Sequence, residues 1–398
     1  MITFHSIDQA NDVDQKTKCI GESEPPLKSN AIHILMVNFH QSKLCASALK
    51  TLIEYNLNDL ICEGISLHIH WIDNAAAAHD WAREDIASYV QTRAAEGAPE
   101  HLVWHLHCFS ENLGFGGACQ KIYEQLPGSD YLLLLNPDTK LYGLKAMLAS
   151  LHQDGHKVAG VGPQSFWDDD FSFFLPPTPL IDAHFIALES MAQSLPLVAQ
   201  QRSRQFRSRS RVIWEARQAI RVEALSGACA LLRIDALQAC GGLFDLRYFM
   251  YWEDSDLMMR LHQHQFKLYI EPNAKLVHAY THHPAKSAMI DEGRKHYVEK
   301  WGFSDWWNPS LWPSACQPEA MQTQTITPGS DLLMASTVNI GECLWELSLS
   351  RDFVPSIGRF CEDFHLPWNL LQSIASVPCY VRQITPQSDN CWAIKLSP

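Results

Sequence analysis

From Ile32 onward the chain alternates two kinds of hydrophobic pattern. Ile32–Val37 is a short apolar run, after which Leu44, Ala48, Leu49, Leu52 and Ile53 recur at the spacing of a helix face. Leu67–Ile72 reads as a second strand, alternating with His68 and His70, and Leu102–Leu106 as a third. A glycine-rich entry leads into a helical stretch at 114–126, Tyr131–Leu135 suits a central strand, and Val158–Val161 adds another. Repeated strand-helix-strand order with short connections predicts an α/β fold, a mostly parallel sheet with helices on both faces. In such sheets ligands lie beyond the carboxyl ends of the strands, where the polar motifs of this chain fall.

Three regions depart from the rhythm. Residues 1–30 are polar, lack periodicity and contain Pro25-Pro26, which predicts a mobile N-terminal arm. Residues 164–222 hold an acidic-aromatic patch (Trp167, Asp168, Asp169, Asp170, Phe171), a proline cluster at 176–179 and Arg202, Arg204, Arg207, Arg209 and Arg211. This basic stretch reads as a disordered solvated loop, or alternatively as a segment that orders over an anionic acceptor at a membrane surface. Regular structure resumes at Val222 and runs to about residue 304; after Trp306-Trp307 the composition shifts. Short strands such as Leu344–Leu349 and Trp392–Leu396 then predict a small C-terminal β-rich appendage. The expected organisation is an arm at 1–30, a main domain at 31–305 with a divergent insertion at 164–222, and the appendage at 306–398.

Composition narrows the function classes. Of 398 residues, 46% are apolar and 19% charged, which supports a real core. A net charge of -13 argues against broad affinity for nucleic acid. No run approaches the roughly 18–20 apolar residues of a membrane span. Met1 to Asn30 carries acidic residues and no apolar block, unlike a signal peptide, so a cytoplasmic protein is expected. The twelve cysteines include no C-x-x-C pair and several sit in apolar segments, so reduced structural thiols are expected.

The candidate chemistry lies at abrupt changes from apolar to polar. Leu132–Leu135 ends in Asn136-Pro137-Asp138-Thr139, exposing a carboxylate at the sheet edge. Asp138 there can hold Mg²⁺ or Mn²⁺, which favour oxygen ligands, or simply end the strand in a turn. In Phe249-Met250-Tyr251-Trp252-Glu253-Asp254-Ser255-Asp256-Leu257, three carboxylates stand between an aromatic run and a helical pattern. Crowded carboxylates raise one another's pKa and suit proton transfer, while the same residues serve equally to cap a helix. Asn112-Leu113-Gly114-Phe115-Gly116-Gly117 opens a helix without matching a dinucleotide fingerprint or a P-loop; it is a phosphate-approach site or a tight turn. Trp71-Ile72-Asp73-Asn74 ends a strand with an acid that can contact a nucleoside or form an Asx turn. His278 is an ordinary structural histidine unless the fold brings it near Asp138, where imidazole is a good Mn²⁺ ligand.

In order, these pieces resemble the family-2 glycosyltransferases of the GT-A fold, nearest to the rhamnosyltransferase-like bacterial branch. The likeness spans about residues 32 to 282, with the gap at 164–222. It rests on Val37-Asn38-Phe39, Asp73-Asn74, Glu111–Gly117, Leu135–Thr139, Leu225-Ser226-Gly227-Ala228-Cys229, Gly241–Asp245, Glu253–Leu257 and His278. One departure is Ala118-Cys119-Gln120, where the branch often continues Gly-Asn-Asn.

The resemblance implies a GT-A, Rossmann-like fold and a cytoplasmic enzyme, in part peripheral at the inner face of the membrane. It would transfer a sugar from a nucleotide-diphosphate donor, with dTDP-rhamnose as one candidate, to a hydroxyl of a glycan or lipid-linked glycan in surface polysaccharide or cell-wall biosynthesis. Val37, Asn38 and Asp73 are implied around the nucleobase and ribose, with Asn112 and Gly114 nearby. Asn136, Gly227, Trp252 and Glu253 are implied as further substrate contacts. Asp138 matches the last acid of the family's D-x-D motif, whose first acid is Asn136 here, and with His278 it is the expected Mg²⁺ or Mn²⁺ ligand. Asp254 matches the catalytic base of the E-D motif, which implies single displacement with inversion. The rival readings are a sugar nucleotidyltransferase, which should carry a glycine-rich basic loop where Asn38-Phe39-His40-Gln41 stands, and a catalytically silent nucleotide- or glycan-binding module.

Overall fold

A computed structural model describes residues 3–4, 31–74, 81–96, 100–128, 130–153, 157–279, 287–303, 321–337, 341–374, 378–386 and 389–397. The first half runs β1 (Thr3–Phe4), β2 (Ala31–Asn38), α1 (Ser42–Cys62), β3 (Ser66–Asp73), α2 (Trp81–Ala95), β4 (Leu102–Cys108), α3 (Gly114–Tyr123) and β5 (Tyr131–Leu135). Next come β6 (Thr139–Tyr142), α4 (Leu144–His152), β7 (Val158–Phe166), α5 (Ala183–Ala192), α6 (Pro196–Trp214) and β8 (Ile220–Val222). β9 (Cys229–Arg233), α7 (Ile234–Ala239), α8 (Glu253–Gln263), β10 (Lys267–His278) and α9 (Ser287–Lys300) complete the larger region.

The strands form one ten-stranded sheet in the order β1-β4-β3-β2-β5-β9-β7-β10-β6, with β8 beside β10. β1 through β5 in this order pair parallel, β9 runs antiparallel between β5 and β7, and β10 lies parallel to β7. The mostly parallel α/β sheet expected from the strand-helix alternation is therefore present. Seven of the eight residues of β2 are buried, as befits a strand covered on both faces. One face packs against α1, α2 and α4 through residues such as Leu49, Leu52, Val90 and Met147. The other packs against α3, α7, α8 and α9 through Ile122, Leu237, Leu257 and Tyr297. Thr3–Phe4 adds β1 to the sheet edge; the rest of the expected N-terminal arm lies outside the described residues.

The C-terminal region is β-rich, as expected. It contains β11 (Gln322–Ile326), β12 (Leu332–Met334), β13 (Cys343–Ser348), β14 (Ile357–Cys361), β15 (Phe364–Leu366), the short α10 (Trp368–Leu371), β16 (Cys379–Ile384) and β17 (Asp389–Leu396). A five-stranded sheet, β11-β17-β16-β13-β14, is joined by the pair β12-β15. Its core takes in Trp167 and Phe173 from the segment after β7, so the two regions share buried apolar surface. Gly358 allows a close approach: a Cβ there would fall 2.2 Å from the Trp214 ring.

The basic stretch corrects the expectation of a disordered loop. Residues 196–214 form the helix α6, buried at Ser203, Ser210, Ile213 and Trp214. Four of its five arginines are engaged in ion pairs: Arg202 with Glu189 and Asp352, Arg207 with Glu346 and Asp389, Arg209 with Glu223, and Arg211 with Glu215. Arg382 of β16 pairs with fully buried Glu346 at 2.6 Å and donates to the Ser203 hydroxyl at 3.2 Å. The helix is thus a strut between the two regions. The ten described cysteines are free thiols, and among the described residues no helix is long and apolar enough to cross a membrane.

Candidate active site

The carboxyl edge of the sheet gathers the first set of sequence candidates. Parallel pairing places Asn38 opposite Asp73 at the ends of β2 and β3. Val37 and Asn38 are buried, and Asn38 Oδ1 accepts from the Gln41 N–H at 3.0 Å, which fixes the turn into α1. Asp73 is fully buried, and the Arg83 guanidinium of α2 donates to its Oδ2 at 2.9 Å. Arg83 lies in no motif, so nothing in the sequence marks it as the partner of this acid.

Asn74 ties this edge to the glycine-rich turn. Its amide donates to Asn112 Oδ1 (2.8 Å) and the Gly114 carbonyl (3.1 Å), and its Oδ1 accepts from the Leu113 N–H (3.0 Å). Gly114 has φ +73°, and a Cβ there would meet the Phe249 carbonyl at 2.0 Å. Only glycine tolerates both the conformation and the approach. Val37, Asn38, Asp73, Asn112 and Gly114 therefore converge on one corner, most of them through contacts that also hold the corner together.

The second set concerns a cation. β10 runs antiparallel to β6, so His278 lies opposite Thr139, the residue after Asp138. The Ala279 N–H donates to the Asp138 carbonyl at 3.2 Å, and His278 Nε2 stands 3.3 Å from Asp138 Oδ1. Both side chains keep about a quarter to a third of their surface exposed. Adjacent ligands of an octahedral cation with bonds near 2.1 Å stand roughly 3 Å apart, which this pair matches. No group of three or more His, Cys, Asp or Glu side chains suited to a metal occurs among the described residues. One or two carboxylates that leave the remaining positions to water and substrate oxygens are a usual arrangement for Mg²⁺ at phosphate sites; here Asp138 would be that carboxylate and His278 would add an imidazole.

The third set is the acidic helix start. Tyr251 and Trp252 both adopt positive φ (69° and 72°), a strained conformation for bulky residues. The turn is held by the Trp252 indole, which donates to the Ile290 carbonyl at 2.9 Å, and by Gly293, where a Cβ would fall 2.9 Å from the Tyr251 carbonyl. The strain delivers Glu253 and Asp254 to the first turn of α8. Asp256, the third carboxylate, is fully buried and paired with Arg260 (3.0 Å) and Lys300 (2.6 Å), so it joins α8 to α9.

Asp254 and Glu253 differ. Asp254 Oδ2 accepts from the Gly227 N–H (3.3 Å) and Oδ1 from the Ser255 N–H (2.7 Å); burial nonetheless raises its pKa above the usual carboxylate value. Glu253 is buried, its Oε2 has no hydrogen-bond partner, and burial followed by repulsion from Asp254 pushes its pKa up to about 8. This shift favours the protonated form of Glu253, which relieves the repulsion between the two carboxylates.

Two contacts of the β9 loop backbone connect the second and third sets. The Gly227 N–H reaches Asp254, and the neighbouring Ala228 carbonyl accepts from the Asn136 N–H at 2.8 Å. Asn136, Asp138 and Gly227 thus stand on abutting loops where β5 ends and antiparallel β9 begins, and Gly227 reaches Asp254 in the first turn of α8. Asp138 also lines a cavity of about 540 Å³ whose opposite wall includes Arg359, His365 and Asn369 of the C-terminal region. The short irregular strands there carry no pattern that pointed to this site.

No protein-family model matches the chain, and no curated protein matches it. Among solved structures, it is similar to GalNAc-T7 with UDP, GalNAc and Mn²⁺, at 13% identity and a TM-score of 0.47, over 71% of this chain and 50% of that one. It is also similar to the mannosyltransferase PcManGT from Pyrobaculum calidifontis in complex with GDP-Man and Mn²⁺ (13% identity, TM-score 0.42, 70% and 65% covered). A further likeness is to S. aureus TarS 1–349 in complex with UDP-GlcNAc (11% identity, TM-score 0.42, 70% and 72% covered). The chain spans about half the length of the GalNAc-T7 chain it matches.

Proposed function

We propose that this protein is an inverting, metal-dependent glycosyltransferase of the GT-A type, transferring a sugar from a nucleotide-diphosphate donor to a hydroxyl of an acceptor glycan. The observation that carries this reading is the run of contacts from the Asp138 turn to Asp254: the Asn136 N–H donates to the Ala228 carbonyl, and the adjacent Gly227 N–H donates to the Asp254 carboxylate. It supports one cleft in which one acid grips a cation and the other takes a proton.

In this reading the corner built from Val37, Asn38, Asp73, Asn112 and Gly114 receives the nucleoside. Asp138 and His278 would hold Mg²⁺ or Mn²⁺, which when bound neutralises charge growing on the leaving diphosphate. Asp254 accepts the proton of the attacking hydroxyl; its raised pKa makes it a stronger base than an exposed aspartate. Neutral Glu253 behind it keeps the pair at a single charge. Attack opposite the leaving group needs one base and no covalent intermediate, so the anomeric configuration inverts. Trp252 sets the turn that aims Asp254. The donor follows the resemblance, with dTDP-rhamnose one candidate, and the setting is surface polysaccharide or cell-wall synthesis on a glycan or lipid-linked acceptor.

The test is a binding and donor-hydrolysis screen across nucleotide sugars with Mn²⁺ or Mg²⁺. Asp254→Asn should abolish transfer and leave donor affinity within about threefold, whereas Asp138→Ala should weaken metal-dependent donor binding as well. Equal loss of binding in both variants would assign Asp254 a structural role and overturn the mechanism.

A further inference from the structure

The cavity beside Asp138 is built by both regions of the chain. The sheet domain supplies Asp138, Lys140 and the loop 168–170, and the C-terminal region supplies Arg359, His365 and Asn369. Its volume, about 540 Å³, lies within the range of sites for small organic ligands. The wall from the C-terminal region is held in place: Phe173 and Trp167 are buried in that region's core, and Arg359 stacks over the Phe173 ring at 4.6 Å.

The cavity's charges are largely committed before any ligand arrives. Lys140 pairs with Asp169 at 2.6 Å, Arg359 donates to the His365 carbonyl, and His365 Nε2 pairs with Asp331 at 2.7 Å. Asp168 accepts from the Ser172 and Phe173 N–H groups at 3.0 and 2.8 Å, shaping its own loop. Besides Asp138, the cation ligand of the proposed function, three carboxylates (Asp168, Asp169, Asp170) thus line a space with two permanent cations, Lys140 paired with Asp169 and Arg359 stacked on Phe173. Away from the cation ligand Asp138, such a space disfavours a phosphate and accepts hydroxyl donors. Leu44, Val277 and Leu370 provide apolar surface for the C–H face of a ring.

We propose that this cavity is the acceptor subsite, that the C-terminal β-rich region forms its outer wall, and that it takes an uncharged or amino-bearing saccharide unit and excludes phosphate-bearing ones. The inference rests on the glycosyltransferase reading and deepens it. A phosphate carried by a lipid-linked acceptor would lie outside the cavity. Asn369, exposed at the rim, presents an amide that both donates to and accepts from hydroxyls.

The experiment uses the full chain, labelled with a fluorophore and loaded with Mn²⁺ and a nucleoside diphosphate, on an array of neutral, amino-bearing, phosphorylated and carboxylated glycans. UDP, GDP and dTDP affinities with Mn²⁺ are measured in parallel for each variant. Wild type should bind neutral or amino glycans at least tenfold better than their phosphorylated counterparts. Asn369→Trp, which fills the rim, should reduce that binding at least tenfold, and Asn369→Ala by threefold or more, with metal-dependent nucleotide affinity within twofold. Glycan binding unchanged by Asn369→Trp, a preference for phosphorylated glycans, or no glycan bound while nucleotide is held would each overturn the inference. Absence of metal-dependent nucleotide binding in the wild type would instead sink the glycosyltransferase reading beneath it.

Discussion

Asp254 and Gly227 meet so closely that no other residue fits at 227: a Cβ there would stand 2.9 Å from both Cβ and Oδ2 of Asp254. The contact fixes the carboxylate from the side of the β9 loop while α8 holds its backbone. Gly227→Ala should therefore displace Asp254 without removing it. A shift approaching 1 Å at a proton-transfer group costs on the order of 100-fold. We expect kcat to fall roughly 10- to 100-fold with nucleotide affinity nearly unchanged, measured by steady-state transfer and by titration. Unchanged kcat would mean that the carboxylate's position does not matter to the reaction.

Glu253 links stability to pH. Its pKa is raised from 4.5 to about 8 by burial and by Asp254. Between these values the folded protein binds a proton that the unfolded chain has released, so stability falls as pH rises through the window. Glu253→Gln keeps the shape without the ionisation. The variant should lose part of the decline in Tm between pH 5.5 and 8.5, and gain on the order of a few degrees over wild type at pH 8.5. Parallel pH curves for the two proteins would show that Glu253 ionises freely.

The histidines of β2, β3 and β4 work in the opposite direction. A hydrogen-bonded chain runs from His107 through His70 and His33 to Asp130, with contacts of 3.0, 2.9 and 3.0 Å, and His68 meets His105 at 3.2 Å. Burial lowers the pKa of His33 and His70, and that of His68 to about 4. As pH falls from 6.5 toward 4 the unfolded chain gains protons that the folded one refuses, so stability drops. His70→Leu should flatten this acid limb, while taking the His70 hydrogen bond from His33 Nδ1 and His107 Nε2 at a cost of roughly 1–3 kcal/mol at pH 7.5. Chemical denaturation at both pH values checks the pair of effects.

Glu346 is the anchor between the two regions. Its fully buried carboxylate faces Arg382 at 2.6 Å and Arg207 at 3.3 Å. Removing it leaves buried Arg382 without its paired carboxylate, and Arg207 with Asp389. Glu346→Ala should cost about 3–5 kcal/mol and separate the unfolding of the C-terminal region from that of the sheet domain. Differential scanning calorimetry should then resolve two transitions; a single transition at the wild-type temperature would mean that the pair adds nothing.

The parallel strands were legible because burial on both faces leaves continuous apolar runs, as in Leu132–Leu135; the expected strand at Val158–Val161 extends five residues further, to Phe166. Helix α6 was not. The face it buries carries Ser203 and Ser210 ahead of Ile213 and Trp214, so an apolar stripe is missing and the arginines dominate the pattern. What holds it is a set of carboxylates more than a hundred residues away in sequence, Asp352, Glu346 and Asp389, which periodicity cannot see. At the candidate site, Asp138, His278 and Asp254 were recognisable only as members of an ordered set. The division of labour among Glu253, Asp254 and Asp256 emerged from burial and partners, since all three look alike as letters.

The inward use of arginine also shapes how the molecule behaves at a distance. With Arg202, Arg207 and Arg382 spent on carboxylates between the two regions, the solvent-facing field is set by the remaining acidic excess of a chain at -13. A bilayer of anionic headgroups repels such a body. Attachment to one through neutral or apolar contacts would strengthen as added salt screens that repulsion, the reverse of the behaviour of proteins that dock through basic patches.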